Sequence, residues 1–185
     1  FIADVADKGV PAALFMALTR TLVRAAVLET ESPAVALARV NELLIPDTRQ
    51  GMFVTGVYAV LDTGSGELTY VNAGHNPPIW VKPDGSLEKL TRTAIALGVS
   101  ADHAVEQKTI ELSTGDNILF YTDGLTESFN SEDDFYGEAR LIDALLTNTR
   151  ASASELIDVV EKSLLDFIQD MPPADDLTML AVRRM

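Results

Sequence analysis

Ile118-Leu119-Phe120-Tyr121-Thr122 is followed at once by Asp123-Gly124-Leu125-Thr126-Glu127. The first five residues are apolar or β-prone, and they predict a strand buried on both faces. A buried strand commits the chain to a layered fold, because both of its faces need covering. It also delivers a carboxylate, Asp123, to a rigid end, a common way to place a metal ligand or catalytic acid. An Asp-Gly after a strand is more often a plain turn. The rest of the chain decides between these readings.

Upstream of that strand the hydrophobic period changes twice. From Ala12 to about Glu29 the residues are helical in pattern and apolar almost all round, with a narrow polar side of Thr19, Arg20, Thr21 and Arg24. Such a helix is expected inside a core or at an interface. Pro11 suits its first turn. Ser32-Pro33 is an N-cap with proline at the first helical position, and a second helix runs to about Leu44 before Ile45-Pro46 ends it.

Strands follow, at Phe53–Leu61, Glu67–Asn72, about Pro78–Lys82, about Ser86–Leu90 and Val105–Leu112, with turns at Asp62–Gly66 and Asp84-Gly85. Thr91 to His103 reads as loop, with His103 solvated. The segment from Ser128 to Gly137, with three adjacent acids, reads as a surface loop. Helices are expected at about Glu138–Thr147 and Ser152–Gln169, the latter opened by a capping-box spacing of Ser152 and Glu155. Met171-Pro172-Pro173-Ala174 begins a stiff loop, and Leu177–Arg183 a last strand. Hairpin-joined strands with segregated helices predict an α+β fold, a sandwich of mainly antiparallel sheets with helices outside.

With 185 residues and 47% hydrophobic content, the chain suits one domain, residues 1–185, with a sizeable core. Its net charge of −14 argues against nucleic acid and against anionic membrane as partners. No cysteine is present, which excludes disulfides and thiolate metal sites and fits a cytoplasmic protein. Phe1 is not a translation start, so a natural chain beginning further upstream is expected.

Three acids share one context. Asp4 follows Phe1-Ile2-Ala3, Asp123 ends the buried strand, and Asp175-Asp176 stand before an apolar strand. Convergent carboxylates without cysteine or paired histidines suit Mg²⁺ or Mn²⁺, and two such ions serve phosphoryl hydrolysis. Spacing by itself favours ordinary caps and turns.

Four motifs in order go further. Asp4-Val5-Ala6-Asp7-Lys8-Gly9-Val10-Pro11-Ala12-Ala13-Leu14-Phe15-Met16 is the first and Asn72-Ala73-Gly74-His75-Asn76-Pro77-Pro78 the second. Gly115-Asp116-Asn117 through Thr126-Glu127 is the third, and Ala174-Asp175-Asp176-Leu177-Thr178 the fourth. Together they resemble the SpoIIE-like bacterial branch of the metal-dependent (PPM, type 2C-like) serine/threonine protein phosphatases, over essentially the whole chain.

The resemblance implies an α-β-β-α sandwich with a site for two Mn²⁺ or Mg²⁺ ions, where a metal-activated water attacks phosphoserine or phosphothreonine. It implies that Asp4 bridges the metals, that the Val5 carbonyl binds one, and that Asp123 and Asp175 hold a metal. Gly124 would allow the tight turn beside the ion, and Asp176 would orient the loop.

His75 invites a role as general acid, but a structural hydrogen-bonding role is the stronger reading. Lys8 reads as solvated or ion-paired rather than phosphate-binding. Ala6 stands where type 2C enzymes usually carry histidine. The family's first acidic ligand lies in an upstream strand hairpin, so the resemblance implies a domain truncated at its N-terminus, short of strands and of one carboxylate, for which poor folding, weak metal binding or inactivity in isolation is expected. It further implies an upstream sensor or receiver domain and a phosphorylated regulator, such as an anti-sigma-factor antagonist, as substrate. The apolar helices leave room for a homodimer. The rival reading is a non-catalytic regulatory module that keeps the fold and binds a partner, against which stands the retention of Asp4, Asp123 and Asp175.

Overall fold

A computed structural model describes residues 1–48, 51–171 and 175–185. They group into two compact units that interleave along the chain. The first comprises Phe1–His75 with Thr91–Glu111, the second Asn76–Leu90 with Leu112–Met185.

In the first unit, β1 (Ile2–Ala6), β2 (Phe53–Leu61), β3 (Glu67–Ala73) and β6 (Lys108–Glu111) form an antiparallel sheet in the order β1-β2-β3-β6. The β2–β3 hairpin closes where the Asp62 carboxylate accepts the Gly64 and Ser65 amides at 2.7 and 3.0 Å, an Asx-type turn. Two helices, α1 (Val10–Ala26) and α2 (Pro33–Leu44), pack on this sheet. Side chains alternate along a strand, so Val5, Val54 and Val71 enter the core with Phe15, Leu37 and Leu44. The Ser32 hydroxyl caps α2 by accepting the Val35 amide.

The α1 helix is not the internal helix that its composition suggests. Ala12, Phe15, Thr19, Val23 and Ala26, spaced three and four apart, form its one buried stripe, while Val10 and Leu14 are 72% and 67% exposed. It also starts and ends earlier than expected, at Val10 and Ala26.

In the second unit, β4 (Ile79–Val81), β5 (Leu87–Lys89), β7 (Asn117–Tyr121) and β8 (Met179–Arg183) form a sheet in the order β5-β4-β7-β8, again antiparallel throughout. Every residue of β7 is buried, and Ile118 and Leu119 are 0% exposed. Leu119 and Tyr121 face the helix-packed core, and Ile118 and Phe120, on the opposite face, are buried as well. Leu119, Tyr121 and Ile79 pack with α4 (Gly137–Leu146) and α5 (Ala153–Ile168). Ser152 and Glu155 complete the capping box of α5. Truncating a side chain as buried as Leu119 to alanine costs about 2–5 kcal/mol.

The α+β class with two antiparallel sheets and helices is therefore present. Two elements had no counterpart in the sequence reading: β1 as a strand in its own right, and a single-turn helix α3 (Asp123–Thr126). His103 is half-buried rather than solvated, with Nδ1 2.9 Å from the Ser100 carbonyl oxygen. The expected stiff loop at Pro172–Ala174 lies outside the described residues. Among the described residues no helix is long and apolar enough to cross a membrane.

Candidate metal and phosphate site

The acids singled out by sequence are held by two separate local constructions, one in each unit.

In the second unit, β7 runs directly into α3, so Asp123 opens a helical turn at the end of the most buried strand. Thr122, only 4% exposed, ties the Asp175-Asp176 segment to this point. Its amide donates to the Thr178 carbonyl at 3.1 Å, and its hydroxyl donates to the Asp176 carbonyl at 3.2 Å. The same hydroxyl accepts the Thr178 amide at 3.0 Å. Gly124 completes the junction. A Cβ placed on it would lie 2.5 Å from the Asp176 carbonyl oxygen and 3.1 Å from its carbon. The absence of a side chain lets the Asp175-Asp176 backbone lie directly on the Asp123-Gly124 turn. The Asp176 amide donates to the Asp175 carboxylate at 2.9 Å. Asp123 is half-buried and Asp175 exposed, so both carboxylates are supported and remain within reach of solvent.

In the first unit, Asp4 lies in the middle of β1. It pairs with Thr55 of β2, and Val5 with Val54. Residues opposite one another share a face, so Asp4 and Thr55 lie on the face opposite Val5 and Val54, which belong to the helix-packed core. The chain then leaves β1 through a constrained turn. Asp7 has φ 129°, outside the usual range for a residue with a side chain, and its carboxylate accepts the Lys8 amide at 2.8 Å. Gly9, with φ 86° and ψ −163°, opens α1 in a conformation that only glycine adopts readily. Lys8 is exposed.

His75 is 3% exposed. Its Nδ1 is 2.9 Å from the Thr55 hydroxyl, and its amide donates to the Asn72 side chain at 2.9 Å.

In each unit the candidate donors are oxygens: the Asp123 and Asp175 carboxylates in the second, the Asp4 carboxylate and the Val5 carbonyl in the first. That chemistry fits Mg²⁺ or Mn²⁺ and not a thiolate metal. The cradle at Gly124 fits it too, since it seats two carboxylate-bearing segments against each other without an intervening side chain. Among the described residues no group of three or more His, Asp or Glu side chains forms a ready-made metal cage. Sequence reasoning missed Thr122 and Thr55. Each looked like an ordinary β-prone residue, and the one available signal was a hydroxyl immediately before Asp123-Gly124.

Comparison with known proteins bears on the same motifs. The family model described as stage II sporulation protein E (SpoIIE) matches residues 1–185. The phosphoserine phosphatase RsbU of Bacillus subtilis is 30% identical over 184 residues, covering 99% of this chain and 54% of its own length. Protein IcfG of Synechocystis is 30% identical over 210 residues, covering 99% of this chain and 33% of IcfG. The crystal structure of the RsbU and RsbW domains of Rv1364c from Mycobacterium tuberculosis superposes with a TM-score of 0.80 at 30% identity. It covers 98% of this chain and 50% of that one. The chain thus spans from a third to about half of these relatives. With its two antiparallel sheets, its helices and its four motifs, it belongs to the SpoIIE family of PP2C-type phosphatase domains.

Proposed function

We propose that this domain hydrolyses phosphoserine or phosphothreonine on a regulatory protein, with two Mn²⁺ or Mg²⁺ ions held by Asp4, the Val5 carbonyl, Asp123 and Asp175. The observation that carries the reading is the junction at Gly124, where Thr122 and the missing Cβ lock the Asp175 segment onto the Asp123 turn. Such close backbone packing has little purpose in a plain surface turn, but it fixes two carboxylate-bearing segments to one rigid strand.

When bound, the ions supply Lewis acidity, which lowers the pKa of water and neutralises charge on a phosphoryl group. The chain's own contribution is to hold the ligands. Asp123 is anchored by a strand with no exposed residue, so its carboxylate has few positions to choose from. Asp175 is fixed through the backbone of its neighbour Asp176. Val5 is buried in the first unit's core, which fixes the direction of its carbonyl through the β1–β2 ladder. The burial of His75, at 3% exposed, and its bond to Thr55 support a structural hydrogen-bonding role over that of general acid.

The name of RsbU, a phosphoserine phosphatase, supports the substrate class. The presence of RsbU and RsbW domains together in Rv1364c supports a signalling setting. We extend the reading to an output domain controlled by an upstream sensor or receiver domain, in a cytoplasmic protein, acting on a phosphorylated anti-sigma-factor antagonist or similar regulator. Self-association through exposed apolar positions on α1, such as Val10 and Leu14, belongs to the same reading.

The test is release of phosphate from a phosphoserine regulator and from p-nitrophenyl phosphate by the full-length protein. Hydrolysis should require Mn²⁺ or Mg²⁺ and fall at least a hundredfold in Asp123→Asn. Metal-independent hydrolysis, or an Asp123→Asn variant as active as the parent, refutes the proposal.

A further inference from the structure

The segment of β2 opposite Asp4 has a neighbour on each edge. Beyond Val57, which pairs with Asn72, β2 continues toward Phe53 without β3 as a regular neighbour. The loop after Thr91 takes over. Val54 and Leu97 exchange backbone hydrogen bonds at 2.9 and 2.8 Å, and Ala73 bridges Ala94. The loop is fixed in turn by Asn41 of α2, which is 3% exposed. Asn41 accepts the Gly98 amide and donates to the Ser100 carbonyl, both at 2.8 Å.

Into this frame His75 brings a side-chain bond to Thr55. The turn that carries His75 is itself secured. Asn72, 0% exposed, accepts the His75 amide on its side chain and the Thr93 and Ala94 amides on its carbonyl. Its own amide donates to the Thr93 hydroxyl at 3.0 Å. A ring this enclosed and this well tied is a poor proton donor to solvent and a good fixed point for another side chain.

Thr55 is the residue it fixes, and Thr55 is the direct cross-strand partner of Asp4. Cross-strand partners stand with Cβ atoms about 5 Å apart on one face of the sheet. A β-branched threonine has few χ1 choices in a strand, and a bond to a buried imidazole selects among them.

We propose that Thr55 and His75 form a positioning pair for Asp4: the imidazole fixes the Thr55 rotamer, and the fixed threonine restricts Asp4 to the orientation that accepts a divalent cation. Neither residue touches the substrate. The inference rests on the metal reading above and assigns the Asn72–His75 motif a task within it.

The experiment uses the full-length protein and Mn²⁺ itself as probe, with free Mn²⁺ followed by electron paramagnetic resonance. Thr55→Val keeps the shape and removes the hydroxyl, whereas Thr55→Ser keeps the hydroxyl. His75→Phe removes the ring nitrogen, and Asp4→Asn serves as the ligand control. Loss of one such hydrogen bond corresponds to a weakening of about tenfold. Thr55→Val and His75→Phe should each weaken Mn²⁺ binding by about that factor, with Thr55→Ser within about threefold of the parent.

In the metal-free protein, hydrogen exchange over Ile2–Ala6 should accelerate in Thr55→Val and not in Thr55→Ser. That second readout separates loss of positioning from failure to fold, which would accelerate exchange throughout. Thr55→Val with parental Mn²⁺ affinity and parental exchange overturns the proposal while Asp4→Asn still loses metal. Parental Mn²⁺ affinity in Asp4→Asn overturns the metal reading itself.

Discussion

Replacing Gly124 with alanine sets two effects of opposite sign against each other. Gly124 lies inside α3 with no positive φ, so on helix propensity alone alanine gains about 1 kcal/mol. Against this, the new Cβ would stand 2.5 Å from the Asp176 carbonyl oxygen, and ordinary contact begins near 3.4 Å. One backbone segment must retreat by about 1 Å, because neither contacting atom belongs to a flexible side chain. Overpacking of this kind costs about 1–3 kcal/mol. The retreat also stretches the Thr122–Asp176 bond, already 3.2 Å long, whose loss adds about 1 kcal/mol. The clash therefore wins, and Gly124→Ala should lose about 1–3 kcal/mol in urea titration, read as a lower midpoint with unchanged slope. The same variant should bind Mn²⁺ more weakly, since Asp175 moves with Asp176. A variant as stable as the parent would refute the steric reasoning, and with it the claim that close backbone packing positions Asp175.

Asn41→Ala should cost more than a typical surface change, because it strands the Gly98 amide and removes one of the two donors to the Ser100 carbonyl; a loss of about 1–3 kcal/mol is expected in the same titration. Tyr121 supplies a pH test. Burial chiefly, with the Glu138 charge second, pushes its phenol up to about 12 from 10. A raised pKa means that the folded state holds the proton more tightly. The contribution is present below pH 10 and is lost as pH rises toward about 12. Tyr121→Phe should therefore flatten the fall in stability over that alkaline window, as followed by thermal melting at a series of pH values. An equally steep fall in Tyr121→Phe would remove Tyr121 as its cause.

Local signals carried much of the fold. The capping pair Ser152 and Glu155, the Ser32-Pro33 start of α2 and the Asp62–Gly66 turn all use short-range hydrogen bonds that residue type nearly dictates. The apolar run of β7 likewise announces its burial. Long-range placement was less legible. The Asp84-Gly85 turn announces the β4–β5 hairpin, but nothing local says that β4 also pairs with β7, since a three-residue strand carries too little pattern to choose a distant partner. The four residues of α3 are too few for a helical period to register. Core and interface stayed open for α1 because apolar residues such as Val10 and Leu14 on an outer helix face look like core residues in a sequence.

The acids Asp4, Asp123 and Asp175 stood out because each adjoins an apolar run. Their supports did not. Thr55 acts through a cross-strand register and Thr122 through a segment more than fifty positions away, and neither relation is written in local sequence.

On the proposed function, this chain's carboxylates exist to hold divalent cations. A Mn²⁺ titration of the full-length protein, read by electron paramagnetic resonance on the parent and on Asp123→Asn, tests it most directly. Saturable binding in the parent, weakened at least tenfold in a folded Asp123→Asn, is the predicted result. Identical titrations for the two proteins, or no saturable binding in the parent, would contradict the claim.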